Sequence, residues 1–269
     1  MSTTVTKSPG KSPASARPPE QALTLAIDVG GSRLKCGVLS EAGAVLNGPL
    51  RADTPKPAPP AAVLALLDGL IGQLGAFDRV SIGFPGMIRA GRVMTAPNLG
   101  SEAWHDYPLA EEIARRTGKP TRLLNDATVQ GLGVIQGHGL ECVITLGTGM
   151  GFALFREGRL SPQIELGQHN ARNDMSYDEY VGNAALTEIG KTKWNKRVRR
   201  VIAALDSLVE FDELHIGGGN AKHIGFELPQ RTRIVSNEAG ITGGVRLWDA
   251  TLSGAPDLAT AEQPRIAAG

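Results

Sequence analysis

Apolar and polar positions alternate in two separated stretches of the chain, and both stretches break on glycine. From Leu25 an apolar run reaches Asp28, turns through Gly30, Gly31 and Ser32, and resumes as an alternating run to Leu39. This predicts a β-hairpin, since glycine supplies the backbone freedom of the turn and the flanks are strand-like. The pattern returns where Cys142–Leu146 leads into Gly147-Thr148-Gly149-Met150-Gly151 and then Phe152–Phe155. Two such hairpins far apart predict a duplicated α/β architecture with a cleft between its halves.

Helical spacing covers Ala61–Leu74, with Val63, Leu66, Leu67, Leu70 and Ile71 on one stripe, after the proline-rich link Thr54–Pro60. Val80–Phe84 reads as a strand ending in the turn Pro85-Gly86, and Pro97-Asn98 lies in a loop. Leu109–Thr117 reads as a helix closed by Gly118, and Thr121–Leu124 as a strand delivering Asn125-Asp126. Ala184–Phe211 keeps helical spacing as one long helix or two, before the strand Glu213–Ile216 and the turn Gly217–Asn220. Met1–Gln21 lacks the apolar residues that would offset chain entropy and is expected to be disordered. The expected division is that tail, an N-terminal lobe over 22–125, a C-terminal lobe with the basic helix over 126–250, and a flexible tail over 251–269.

Composition narrows the functional classes. Of 269 residues, 28 are basic and 27 acidic, so overall charge predicts neither nucleic-acid nor membrane binding and any anion site must be local. No apolar run is long enough to span a bilayer, and the start lacks the apolar core of a secretory signal. Cys36 and Cys142, two thiols without a metal or disulfide spacing, fit a reduced, cytoplasmic protein.

At the first turn, little side chain covers the backbone N–H groups, so an anion can approach them closely. Asp28 can hold hydrated Mg²⁺, and Ser32 and Lys35 can face phosphate oxygens. An ordinary glycine-rich hairpin would read the same way, and the spacing of a Walker A loop is missing. Asp126 is placed to take a proton from a hydroxyl attacking a phosphoryl group; Asn125-Asp126 is equally a helix cap. Glu165-Leu166-Gly167-Gln168-His169 offers the mixed acceptors and donors that a hydroxyl-rich ligand needs, or is a polar loop. No cysteine lies near His169, so zinc is not expected. Lys191, Lys193, Lys196, Arg197, Arg199 and Arg200 surround Trp194; they form either a solvated helix face or a track for a long polyanion. One tryptophan is too little aromatic interleaving for a nucleic-acid site.

Taken in order, these motifs resemble the ROK (repressor, open reading frame, kinase) sugar kinases, over roughly Leu23 to Trp248. Asp28–Lys35 is similar to that family's first phosphate motif, Leu146–Gly151 to its second, and Asn125-Asp126-Ala127 to its sugar and catalytic-base motif. Ile216–Gly219 resembles the glycine segment near the phosphoryl donor. Lys193-Trp194 with its basic neighbours and Glu238–Gly244 resemble the branch of glucokinases that use polyphosphate. The resemblance implies an actin-like (ribonuclease-H-like) fold of two α/β lobes around a cleft, Mg²⁺ held through water by Asp28, and a homodimer. It implies glucose as acceptor and inorganic polyphosphate, with ATP, as donor. The implied base is Asp126, with Asn98, Asn125, Glu165 and His169 on the sugar. Gly30, Gly31, Ser32, Lys35, Gly147, Thr148, Gly149 and Gly218 would hold phosphate, and Lys193, Lys196, Arg197 and Arg200 the polyphosphate chain.

The chain departs from the family where Gln168 separates Gly167 from His169 and where zinc cysteines are absent, as in the polyphosphate branch. Met1–Gln21 is too short and proline-rich for the helix-turn-helix of the repressor branch. Alternatives are an ATP-dependent kinase of this family for another hexose and a non-catalytic sugar or polyphosphate binder. Pure binding does not call for Asp28, Lys35 and Asp126 together.

Overall fold

The protein was analysed as a computed structural model, which describes residues 22–236, 238–252 and 258–262; the expected tail over 1–21 lies outside them. Strands β1 (Thr24–Val29) and β2 (Arg33–Leu39) form the first hairpin, with Asp28 directly opposite Lys35. Strand β3 (Val45–Asp53) extends it, and α1 (Pro60–Ile71) crosses over to β4 (Arg79–Phe84), parallel to β1. Helix α1 starts on Pro60, where a missing N–H costs nothing, and buries Val63, Leu64, Leu67 and Leu70. The hairpin β5 (Ile88–Arg89) and β6 (Arg92–Val93), then α2 (Ser101–Trp104) and α3 (Leu109–Thr117), lead to β7 (Thr121–Asn125), parallel to β4. Gly118 closes α3 in the left-handed conformation, as its position after the apolar stripe predicts.

Helix α4 (Asp126–Leu132) follows β7 without a break. The second half then repeats the first: hairpin β8 (Leu140–Leu146) and β9 (Met150–Arg156), with β10 (Arg159–Leu160) on its edge. After β11 (Asn170–Arg172), β12 (Met175–Ser176), α5 (Tyr177–Val181) and α6 (Asn183–Val209), the chain adds β13 (Glu213–Gly217) and β14 (Thr232–Ile234) in parallel. Helix α7 (Ala239–Thr242) and β15 (Thr260–Ala261) come last. Among the described residues the sheet orders are β15-β7-β4-β1-β2-β3 and β10-β9-β8-β13-β14. Each sheet is therefore a hairpin continued by parallel strands, the duplication that the two glycine turns predict.

Each sheet has its own core. Leu25, Ile27, Phe84 and Trp104 lie in the first, and Ile144, Trp194, Val198 and Ile202 in the second. Trp194 is fully buried and donates its Nε1 proton to the Val181 carbonyl at 2.8 Å; burying one such side chain contributes about 2–3 kcal/mol. Helix α6 breaks at Gly190 (φ 74°), which makes it two helices end to end.

Two expected boundaries are corrected. The second lobe does not run to 250: Ile241 and Val245 pack with Ala26 and Leu39 of the first sheet, and Trp248 lies against Arg79 and Arg122. Nor is the region after 251 a loose tail throughout, because β15 pairs with β7 through Thr260–Arg122 and Ala261–Thr121. Local composition rich in Ala, Pro and Gly hides these segments, because long-range pairing holds them rather than any periodicity of their own.

Candidate active site

The carboxyl ends of β1, β7 and β8 open onto a cleft of about 450 Å³, which both glycine turns enter. The turns face each other closely enough for Ser32 Oγ and Thr148 Oγ1 to share a hydrogen bond at 3.0 Å. Gly30, Gly31, Lys35, Gly147, Gly149 and Gly218 also line the cleft. At the base of the first hairpin, Lys35 Nζ donates to Asp28 Oδ2 at 2.7 Å, and both side chains are largely buried. Asp28 is the carboxylate that fits magnesium here, because that ion keeps most of its water and takes one or two carboxylates beside substrate phosphates. Among the described residues no group of three His, Cys, Asp or Glu is arranged to hold a metal by itself.

The Asn125-Asp126 pair divides its work. Asn125 is the N-cap of α4: its Oδ1 accepts from Thr128 N at 3.2 Å and its Nδ2 donates to the Gly86 carbonyl at 3.1 Å. Those two bonds fix the Asn125 amide on the cleft lining with one N–H and one lone pair still open, and Asp126, one residue further on, stands beside it at the cleft wall. Burial pushes the Asp126 carboxyl up to about 7, with the charges of Asp28 and Glu165 adding to the effect. A carboxyl held there is poised to exchange a proton near neutral pH, as a general base requires.

Glu165 is raised to about 7 as well, chiefly by burial and then by Asp178, and its Oε2 is buried without a hydrogen-bond partner. An acceptor left open on a cleft wall calls for a ligand hydroxyl. Sequence reasoning missed Asp178. It enters the cleft from the first turn of α5, takes Met150 N on Oδ1 and Gln168 Nε2 on Oδ2, both at 2.7 Å, and is hydrogen-bonded by Asn98. Burial raises its pKa and those three hydrogen bonds oppose the rise. A Cβ on Gly149 or Gly167 would strike its carboxyl, so both glycines make room for it. No motif signals this residue, because its partners lie 10 to 28 positions away or farther and meet only in the fold.

His169 is corrected. The Leu166–Gln168 turn is a 3-10 helix that aims Gln168 at Asp178 and leaves the exposed His169 outside the cleft lining. Gln168 instead faces an adjoining hollow of about 480 Å³ that shares Pro97, Asn98 and Asp178 with the main cleft.

Comparison with known proteins gives this geometry a family. The ROK family model matches residues 24–163, more than half of the chain. The chain belongs to the ROK family. It is 30% identical over 234 residues to a polyphosphate glucokinase of Mycobacterium tuberculosis, covering 81% of this chain and 88% of that one. Among solved structures it is similar to the inorganic polyphosphate/ATP-glucomannokinase of Arthrobacter sp. strain KM, at 29% identity and a TM-score of 0.76, over 84% of this chain and 97% of that one. It also shares the fold of a ROK family glucokinase from Streptomyces griseus solved with glucose and AMPPNP, at 21% identity and a TM-score of 0.71, over 84% and 98% of the two chains. This ROK protein therefore has the actin-like, two-lobed fold.

The basic stretch of this ROK protein lies outside the cleft lining, so Lys193, Lys196, Arg197 and Arg200 are not brought together with the phosphate turns. Arg197 stacks over the Tyr180 ring at 4.7 Å and donates to its carbonyl, and Arg200 reaches the Tyr180 hydroxyl at 3.3 Å. No cation between Lys191 and Arg200 has an ion-pair partner among the described residues. No helix there is long and apolar enough to cross a membrane.

Proposed function

We propose that this protein transfers a phosphoryl group from inorganic polyphosphate, with ATP as a second donor, to the 6-hydroxyl of glucose. The observation that carries the reading is Asp126. Its carboxyl is held basic at the cleft wall, with the two glycine turns lining the same cleft. The names of the polyphosphate glucokinase and glucomannokinase relatives support the choice of donor and sugar.

In this mechanism the open acceptor of Glu165 and the Asn98–Asp178–Gln168 network hold the sugar hydroxyls. They direct the 6-hydroxyl toward Asp126, which takes its proton as the oxygen attacks the terminal phosphorus. The new O–P bond forms as the bond from phosphorus to the bridging oxygen breaks, releasing a chain one phosphate shorter, or ADP. Such transfers depend mostly on positioning and charge stabilisation, which the Gly30–Ser32 and Gly147–Gly149 turns supply. Magnesium arriving with the donor, held by Asp28 and the donor's phosphates, would neutralise charge on the leaving oxygen.

The test is glucose 6-phosphate formation by the purified protein with Mg²⁺, comparing long-chain polyphosphate with ATP at matched donor concentration. Faster turnover on polyphosphate is expected. Turnover on ATP alone would refute the donor assignment. No product from either would refute glucose as acceptor, and a hexose panel would then separate a kinase for another sugar from a binding protein.

A further inference from the structure

The basic helix has three faces, and the fold gives them different neighbours. At 3.6 residues per turn, Trp194, Val198, Val201 and Ile202 make the buried face. Lys193, Arg197 and Arg200 fall on one flank, which Tyr180 ties to α5, the helix that supplies Asp178. Lys191, Asn195 and Arg199 fall on the other flank, against residues 221–226. There one amide staples two elements: Asn195 Nδ2 donates to the carbonyls of Lys191 and His223 at 2.8 and 3.0 Å, and its Oδ1 accepts from Gly225 N at 2.8 Å. Arg199 lies over the Phe226 ring at 4.6 Å.

This second flank is continuous with the phosphate end of the cleft. Gly218, Gly219 and Asn220 line the cleft, and Asn220 is fixed to the second glycine turn by Nδ2 on the Gly147 carbonyl at 3.0 Å and by its N–H on the Leu146 carbonyl at 2.9 Å. The next residues are the 3-10 turn Ala221–His223, with Lys222 exposed. Lys222 and His223 thus stand, along the chain, between the cleft lining and the flank that carries Lys191 and Arg199.

Resting on the polyphosphate reading above, we propose that Lys222, His223, Lys191 and Arg199 form the track for the distal part of the polyphosphate chain. The Tyr180 flank, with Lys193, Arg197 and Arg200, does not. The local field agrees: desolvation and then the nearby charges of Lys191 and Lys222 lower the pKa of His223, so both lysines lie within electrostatic reach of it.

The test compares two double variants of equal charge loss, Lys191→Ala/Lys222→Ala and Lys193→Ala/Lys196→Ala, none of whose residues lines the cleft. The first pair is expected to raise KM for long polyphosphate about tenfold and to flatten its salt dependence by about one unit of slope per lysine, by analogy with phosphate contacts in nucleic-acid complexes. KM for glucose and for ATP should change less than threefold, and the second pair should leave the salt slope unchanged. A salt slope lost only in the second pair, or equally in both, overturns the track. An equal rise for ATP also overturns it, by putting the lysines on the triphosphate itself. A wild-type protein that uses ATP alone removes the polyphosphate reading and the track with it; a wild type active on polyphosphate beside an unaffected first pair removes the track only.

Discussion

The two glycine hairpins look alike as sequence and as strands, yet they obtain their negative charge differently. The first carries it internally: Asp28 and Lys35 face each other across the β1–β2 pair, so the carboxylate is fixed by strand register. The second has no acid near its turn, since its Glu141 sits at the far end of β8 and pairs with His215. Its turn is completed by Asp178, arriving from α5 and hydrogen-bonded to Met150 N at the start of β9. A repeated backbone pattern thus gives one cleft two differently built ends, one with a built-in carboxylate and one with a borrowed carboxylate. In the mechanism proposed above, Asp126, on the helix between the two halves, is the group both ends would serve.

The largest effect should come from removing that shared group. Asp126→Asn is expected to lower kcat by about 10²–10⁴-fold with little change in sugar affinity, measured by single-turnover assay and by glucose titration. Full turnover in the folded variant would leave both hairpins without a base.

Next in size is a pair that probes the asymmetry directly. Gly149→Ala would drive a methyl group into the Asp178 carboxyl and displace the Asn98–Gln168 network, costing about 10²-fold in kcat/KM for the sugar. The matching Gly31→Ala places its methyl 3.1 Å from Asn98 Cβ, a contact that small shifts relieve, so a loss below about tenfold is expected. Equal losses in the two variants would mean that the second turn does not depend on its borrowed acid.

A smaller change should appear in pH profiles. Asp28 raises the Asp126 pKa, so Asp28→Asn should move the acid limb of kcat to lower pH, and Lys35→Met, which leaves Asp28 unpaired, should move it higher. Asp178→Asn acts on Glu165 instead and should leave that limb in place while raising KM for the sugar. The smallest effect concerns stability. The folded pKa of Asp126, about 7, lies above the usual carboxylate value, so its contribution is fully present below about pH 4, falls as pH rises from there, and is gone above about 7. Asp126→Asn should therefore stabilise the protein at pH 8, by on the order of 1 kcal/mol after screening in the cleft, and leave it little changed at pH 3.5 by thermal unfolding.

Both hairpins were legible in the sequence because alternation and a glycine turn are local signals, and the repeated sheet order follows from them. Asp126 was legible for the same reason, lying where a strand meets a helix. Asp178 was not: it sits three residues before Val181 in a segment that reads as an ordinary capped helix start, and only packing over Gly149 and Gly167 gives it a role. His169 and Gln168 could not be separated in one dimension, because a single 3-10 turn decides which faces Asp178. Likewise the cations of α6 could be counted but not assigned to flanks before Tyr180 and Asn195 had positions.

The pairing of β15 with β7 bears on how the chain is made. Strand β7 delivers Asn125 and Asp126, yet its outer edge is completed only by Thr260 and Ala261. During synthesis the second sheet can close from residues already in hand, whereas the first waits for a segment more than a hundred positions downstream. Contacts of such long sequence separation form late and slowly. The strand that leads to Asp126 would then be among the last parts of the molecule to settle, and a ribosome-bound chain stopped before residue 258 would carry β7 with an open edge.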